Sequence, residues 1–424
     1  MTARRIAIVG AGPMGLEAAL HGRRAGHEVV VFESASIGEH FRLYGPVPLF
    51  TPFHMNSTEL GRERLRAGGV TLPGDDETLT ADELRERYLL PLSRLSELQE
   101  AVQEGAKVVA IAREGTTKPR SIAAAGDHSR ASSPFILQIQ PSQGSARLAR
   151  ADVVIDASGV YGTANNTGPG GLPAFGEEAL GERLEQRLPA ISGAARSRYA
   201  GARILLLGDG RSAANAIVDL DALVRAGGSA ARTRVEWVHR DRGEGIMAPV
   251  PQTELESLPV LRELDRRANR IAREAAWIRR HPGATVTSYR VLGSGAIEAA
   301  LADPRGRERR IEVDRVLALV GYRPDLSLFR ELQIHLCYAS EAPMALATAI
   351  LASQMKEPAA VQGCLGQVSH GPASMKSPEP DFYILGSKSY GRDPNFLLSL
   401  GHQQIADLFT LIGAPEPRLN VAAR

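Results

Sequence analysis

The sequence predicts an α/β chain of two nested, doubly wound, three-layer modules, each with a small antiparallel β-meander. Three observations carry that expectation. A strand, glycine turn, helix and second strand open at Arg5 and open again at Arg203. Each copy is followed much later by an apolar strand that begins at an aspartate and ends at a glycine. The 424 residues exceed what one such module needs, and 43% hydrophobic against 23% charged residues can offset the entropy of ordering two cores. A wholly disordered chain is excluded.

The first copy is Arg5-Ile6-Ala7-Ile8-Val9, the turn Gly10-Ala11-Gly12-Pro13-Met14-Gly15, a helix to about Ala25, Gly26 as its stop, and the strand Glu28-Val29-Val30-Val31-Phe32-Glu33. Gly10 permits the tight turn, Gly12 lets a pyrophosphate approach the backbone, and Gly15 lets the helix pack on the strand. Pro13 and Met14 open the helix whose free amides would face phosphates. Glu33 ends the second strand, where a carboxylate accepts bonds from ribose hydroxyls and repels a 2′-phosphate. This site is expected to hold FAD or NAD rather than NADP.

The segment from His40 to Asn56 should return towards that site, offering His40, Arg42, Tyr44, Thr51, His54 and Asn56 to orient a substrate or donate protons. The alternative is a loop packed by Phe41, Leu49, Phe50 and Phe53 with incidental polar residues. Thr80-Ala81-Asp82-Glu83 has capping-box spacing, and Lys107 to Ala112 with Phe135 to Gln140 suit an antiparallel meander. The connector Thr116 to Ser133 reads as a long hairpin loop. Asp152-Val153-Val154-Ile155-Asp156-Ala157-Ser158-Gly159 follows, with Ser158 and Gly159 expected at the cofactor.

The second copy runs Arg203-Ile204-Leu205-Leu206-Leu207, Gly208-Asp209-Gly210-Arg211-Ser212-Ala213, a helix to about Ala226, Gly227 as stop, and Val235 to His239. Ala213 stands where the first copy has Gly15, and a small residue suffices there. After His239, Arg240 and Arg242 can pair bidentately with a 2′-phosphate, which favours NADPH over NADH. The same two arginines also suit an exposed strand-to-loop exit. Ser257 to His281 carries Leu261, Leu264, Ala268, Ile271, Ala275 and Ile278 at helical spacing, with arginines opposite, and is read as a solvated amphipathic helix. Asp314 to Gly321-Tyr322 closes this copy. Both copies are Rossmann-like, and beyond Pro324 the chain should return to finish the first, ending in a helix from about Ser399 to Ile412. The expected bounds are 1–165 and 326–424 for the FAD module and 166–325 for the inserted NAD(P)H module.

These fingerprints, with Glu33, Asp156-Ala157-Ser158-Gly159 and Gly321-Tyr322-Arg323-Pro324, resemble the ordered motif set of two-dinucleotide-binding-domain flavoproteins, a superfamily that includes thioredoxin reductases and flavin-containing and N-hydroxylating monooxygenases. The stretch Pro378 to Arg392 is most similar to bacterial flavoproteins of unassigned activity. The resemblance spans nearly the whole chain and implies FAD and NADPH as cofactors, no metal ion, and an NADPH-oxidising enzyme. Many members carry Gly-Asp where this chain has Gly386-Ser387-Lys388. Ser387 would make a weaker version of the aspartate's bond to the ribityl chain, while Lys388 either stabilises charge on the reduced flavin or points to solvent. The Cys-x-x-Cys pair of disulfide reductases is absent. Phe175-Gly176-Glu177 and the stretch to Tyr199 match the flavin-containing monooxygenase signature poorly.

The resemblance thus implies oxygen transfer from a peroxyflavin to a small amine or thioether, with dioxygen and that substrate as partners. The alternatives are an NAD(P)H-dependent flavin reductase or dehydrogenase of a small acceptor, and a non-catalytic redox sensor. Fifty basic against 48 acidic residues, a net charge of +2, call for neither nucleic acid nor an anionic membrane. No apolar run reaches the ~18 residues of a bilayer span, and Met1-Thr2-Ala3-Arg4-Arg5 runs straight into the strand Ile6-Ala7-Ile8-Val9, so a cytoplasmic location is expected. A homodimer is compatible with this reading. Cys337 and Cys364 are expected as free thiols; Cys364, near His370, is either a bystander or a lone redox thiol.

Overall fold

The computed structural model describes residues 3–119, 129–240, 257–356 and 368–413. β1 (Arg5–Val9) and β2 (Glu28–Phe32) pair in parallel across the helix Pro13–Arg24, and β3 (Val102–Gln103) continues beyond β2. The meander β4 (Ala106–Arg113), β5 (Phe135–Pro141) and β6 (Arg147–Ala151) leads into β7 (Val153–Asp156), on the other side of β1. The chain then builds a second sheet from β8 (Leu184–Glu185), β9 (Arg203–Leu207), β10 (Arg234–His239) and β11 (Ile278–Pro282). A second meander, β12 (Thr285–Val291), β13 (Ile297–Ala302) and β14 (Glu308–Val313), precedes β15 (Arg315–Ala318), and β16 (Phe382–Ile384) rejoins the first sheet beside β7.

The parallel sheets run β16-β7-β1-β2-β3 and β8-β15-β9-β10-β11. Their plans coincide strand for strand. Only the outer edge differs in origin: it comes from the end of the chain in the first sheet and precedes the rest in the second. That difference is the nesting.

Period-two alternation builds the three layers. Ile6 and Ile8 face the helix layer with Leu16, Leu20, Ile405 and Leu408, while Ala7 and Val9 face the meander with Phe135, Leu137 and Ile139. Ile204 and Leu206 against Leu205 and Leu207 repeat the arrangement. Burial on both faces is why these strands read as unbroken apolar runs. Gly26 and Gly227 follow their helices at φ +83° and +75°, a conformation that favours glycine. The last helix, Leu398–Ile412, packs on Pro13–Arg24.

Three sequence expectations change. The amphipathic helix is only Pro259–Glu274, and Ile278–Pro282 is the edge strand β11, because pairing of Val235 with Ile278 and its neighbours overrides the helical spacing. The first meander has a third strand, β6, whose polar Arg147-Leu148-Ala149-Arg150 gave no apolar signal. The Thr80 capping box forms, with Thr80 Oγ1 accepting from Glu83 N, but it opens one turn, Ala81–Leu84, that passes into a π-turn at Arg85–Leu89. Buried Glu379 fastens the meander to the returning chain, paired with Arg113 at 2.8 Å and Arg130 at 2.5 Å. Among the described residues no helix is long and apolar enough to cross a membrane.

Candidate functional site

The carboxyl ends of β1, β2 and β7 open into a cavity of about 580 Å³, within the ~300–1,000 Å³ usual for ligand pockets. Gly10 has φ +100°, and a Cβ on it would stand 2.8 Å from the Ala157 carbonyl oxygen, so the turn and the loop after β7 meet only in the absence of a side chain. On Gly15 a Cβ would lie 1.8 Å from the Gly10 carbonyl oxygen. Gly12, which lines the cavity, is different: a Cβ there meets nothing within 4 Å and would only take up cavity space. Beside it the helix starts at Pro13 without a side-chain cap. Met14 packs against both Gly386 and Gly401, whose Cβ positions would meet its side chain at 2.8 and 2.1 Å.

Glu33 is buried and held by the backbone. Its Oε2 accepts from Ala11 N at 2.8 Å and its Oε1 from Ala35 N at 2.9 Å. At the other end, Lys388 is 2% exposed rather than directed to solvent, and its Nζ lies 2.7 Å from Asp156 Oδ2 and donates to Ser158 Oγ at 3.0 Å. Ser158 Oγ donates in turn to Asp156 Oδ1 at 2.6 Å. The Gly386–Tyr390 turn that carries Lys388 is locked by Gln404, which accepts from Gly386 N at 3.1 Å and donates to Ser389 Oγ at 2.9 Å. The Cβ position of Gly159 lies 3.6 Å from His40 Nδ1 and 3.8 Å from Ser387 Oγ, so three expected site residues converge there.

Of the 40–56 segment, His40, Phe41, Tyr44 and Leu49 line the cavity. Burial holds the His40 imidazole below its usual pKa, which keeps it neutral near pH 7, and pushes the Tyr44 hydroxyl up to about 12. Arg42 departs from expectation: it is exposed and paired to Glu39 at 2.9 Å, because a residue two positions past His40 on a helix lies on another face. Thr51 and Asn56 bond one another inside the chain, and His54 stands outside near Asp75 and Asp76.

The second turn repeats the first. Gly208 has φ +112° with its Cβ position 2.2 Å from the Leu319 carbonyl oxygen, Gly210 meets nothing within 4 Å, and Ala213 is fully buried. Arg211, followed by Ser212 in the first helical turn, sets its guanidinium 5.7 Å from the Phe50 ring of the first module. Arg240 pairs with Asp209 at 2.9 Å while 74% of its side chain stays exposed. Arg242 and Cys364 lie outside the described residues.

A further cavity of about 460 Å³ lies between the modules, and Tyr161 and Gly162 line both cavities. Tyr161 sits 4.4 Å from the Tyr322 ring, 5.5 Å from His40 and 6.0 Å from Tyr44. Sequence reading passed over this residue. The signal was present: each glycine-ending strand is followed within two residues by a tyrosine, and the two rings meet.

No protein-family model matches the chain, and no curated protein sequence matches it. Solved structures do. The bacillithiol disulfide reductase of Bacillus cereus shares 17% identity over 97% of this chain and 99% of its own, with a TM-score of 0.68. The ornithine N-hydroxylase of Kutzneria sp. 744 shares 14% over 97% and 99%, with a TM-score of 0.61. The thioredoxin reductase of T. acidophilum shares 16% over 98% and 100%, with a TM-score of 0.56. The chain has the fold of these three proteins. Its first cavity lies at the carboxyl ends of a parallel sheet.

Proposed function

We propose that the chain is an NADPH-oxidising flavoprotein that transfers an oxygen atom from dioxygen to a small nucleophile, an amine or a thioether. The observation that carries the reading is the first cavity itself. Its walls combine a side-chain-free cradle at Gly12, a fixed carboxylate at Glu33 and a buried cation at Lys388, a donor set that fits the pyrophosphate, ribose and isoalloxazine of FAD. FAD there supplies a two-electron acceptor for hydride and, once reduced, reactivity with dioxygen.

The chain's own residues hold and orient. Gly10, Gly12, Pro13, Met14 and Gly15 cradle the phosphates, Glu33 takes the adenosine ribose, and Ser158, Gly159, Gly386 and Ser387 close on the isoalloxazine end. Residues 166–325 carry the coenzyme, with Gly208, Gly210, Arg211, Ser212 and Ala213 at its phosphates and Arg240 with Arg242 at the 2′-phosphate. His40, neutral and beside Gly159, is the group placed to accept or return a proton at its Nδ1. Among the described residues no cysteine lines either cavity.

The test is anaerobic reduction of the purified holoenzyme by NADPH and by NADH, followed by oxygen uptake with a candidate amine or thioether. Purified protein should be yellow, and substrate should raise oxygen uptake with one oxygen atom incorporated. Arg240→Ala with Arg242→Ala should weaken NADPH about tenfold or more and leave NADH nearly unchanged. A colourless protein that takes up no flavin overturns the reading; turnover that ignores oxygen assigns a reductase instead.

A further inference from the structure

We propose that Asp156 is a positioning residue for the bound flavin: it holds the Lys388 ammonium as a hydrogen-bond donor at the isoalloxazine end of the first cavity and damps that cation's pull on electrons. The proposal rests on the flavoprotein reading in one respect, that FAD occupies this cavity.

Lys388 and Ser158 line the cavity, while Asp156, fully buried, does not. With 2% of Lys388 exposed, its charge is answered by neighbours and not by water. Of the three ammonium N–H donors, one is directed at Asp156 Oδ2 at 2.7 Å and one at Ser158 Oγ at 3.0 Å. The third has no acceptor among the described residues; the Phe329 ring, centred 5.3 Å from Nζ, offers a π face and no lone pair. A buried donor left over at a cavity wall marks a place for an acceptor on the ligand. Isoalloxazine brings carbonyl oxygens and ring nitrogens that can serve.

The fold does not need this pair. Val9 is in register with Asp156 in the first sheet and Leu207 with Ala318 in the second, so an alanine fills the equivalent place. Buried ion pairs are seldom more stabilising than the apolar residues that could replace them, so stability alone does not account for this one. Its direction does. With Lys388 at the wall and Asp156 behind it, the pair is a dipole whose positive end faces the cavity. Hydride from NADPH brings two electrons and one proton and releases NADP+, which leaves one added negative charge on the flavin until a second proton arrives. The positive end stabilises that charge, and the carboxylate behind it subtracts from the effect. Lys107 and Asp325, of opposite charge, line the same cavity and are unchanged in every comparison below.

The test is the midpoint potential of the flavin in purified holoenzyme, read anaerobically against reference dyes. Asp156→Asn keeps the side-chain shape and the lysine, and should shift the equilibrium about tenfold towards reduced flavin, about 30 mV upward. Lys388→Met with Asp156→Asn removes both charges and should shift it severalfold the other way, below the parent. Asp314→Asn, in the half-exposed pair of the second module, should leave it unmoved. A purely structural pair gives no such opposite signs. An Asp156→Asn potential at or below the parent's overturns the proposal, and so does a double variant at or above it. If the single variant does not fold, the double variant alone decides. Colourless protein faults the flavoprotein reading, whereas flavin-replete protein that fails these signs faults only this inference. Neither dioxygen nor a substrate enters the measurement.

Discussion

The two modules share their plan down to a surface ion pair, and then part at the residues that face the cavities. Arg5 N donates to Asp152 Oδ2 at 2.9 Å, and Arg203 N donates to Asp314 Oδ2 at 2.7 Å; in both cases the aspartate N–H returns a bond of 2.8 Å to the arginine carbonyl. Four residues further along these strands the first module has Asp156 and the second Ala318; Ser158 is answered by Val320. After the second strand of each copy the charges are exchanged. The first module has an acid, Glu33, after β2 and Ala11 in its turn, whereas the second has Arg240 after β10 and an acid, Asp209, in its turn. A repeated backbone thus sets the two turns, and a handful of side chains at strand ends makes their surroundings differ.

The sharpest way to break this comparison is at the buried cluster that only the first module has. Lys388→Met leaves Asp156 buried without its cation and should cost about 3–5 kcal/mol in urea unfolding, with much of it regained when Asp156→Asn is added. Asp314→Asn, in the half-exposed pair common to both modules, should cost less than about 1 kcal/mol. Equal losses would mean the two ion pairs are not different in kind.

A second contrast lies within one turn. Gly10→Ala forces a side chain into φ +100° against Ala157 and should cost about 1–3 kcal/mol, while Gly12→Ala should stay within about 0.5 kcal/mol of the parent and instead weaken retention of FAD. Thermal unfolding together with flavin content after dialysis reads both effects. A stable, flavin-replete Gly12→Ala protein would remove the cradle from the argument.

A third contrast is a pH dependence belonging to the first module. Burial, helped by His21 and Arg62 nearby, holds His402 at about 3, far below the ordinary 6.5. Between those values the folded protein binds fewer protons than the unfolded chain, so stability is present above pH 6.5 and is lost as pH falls towards 3. His402→Gln should flatten the fall in urea midpoint between about pH 7 and about pH 5. An unchanged slope would show that another group carries the acid sensitivity.

Much of this was legible along the chain, and for a physical reason. Positive-φ glycines at Gly10 and Gly208, apolar runs buried on both faces, and helix stops at Gly26 and Gly227 are local constraints that leave a local record. Glu33, His40, Ser158, Gly159 and Ser387 were read from motif or position and do gather around one cavity. Arg42, named with His40 only because both fall in the returning segment, is exposed and paired to Glu39. β11 was missed because helical spacing continued past the point where strand pairing takes over.

By itself, the sequence determined the doubly wound plan, its duplication and the two glycine turns, since each depends on residues a few positions apart. Only the tertiary structure decided that Lys388 pairs with Asp156, that Arg240 is steadied by Asp209, and that Tyr161 stands between two cavities with Arg187 beside it. Those contacts join residues remote in the chain, and an electrostatic or aromatic contact depends on where backbones bring side chains together, which no local pattern records.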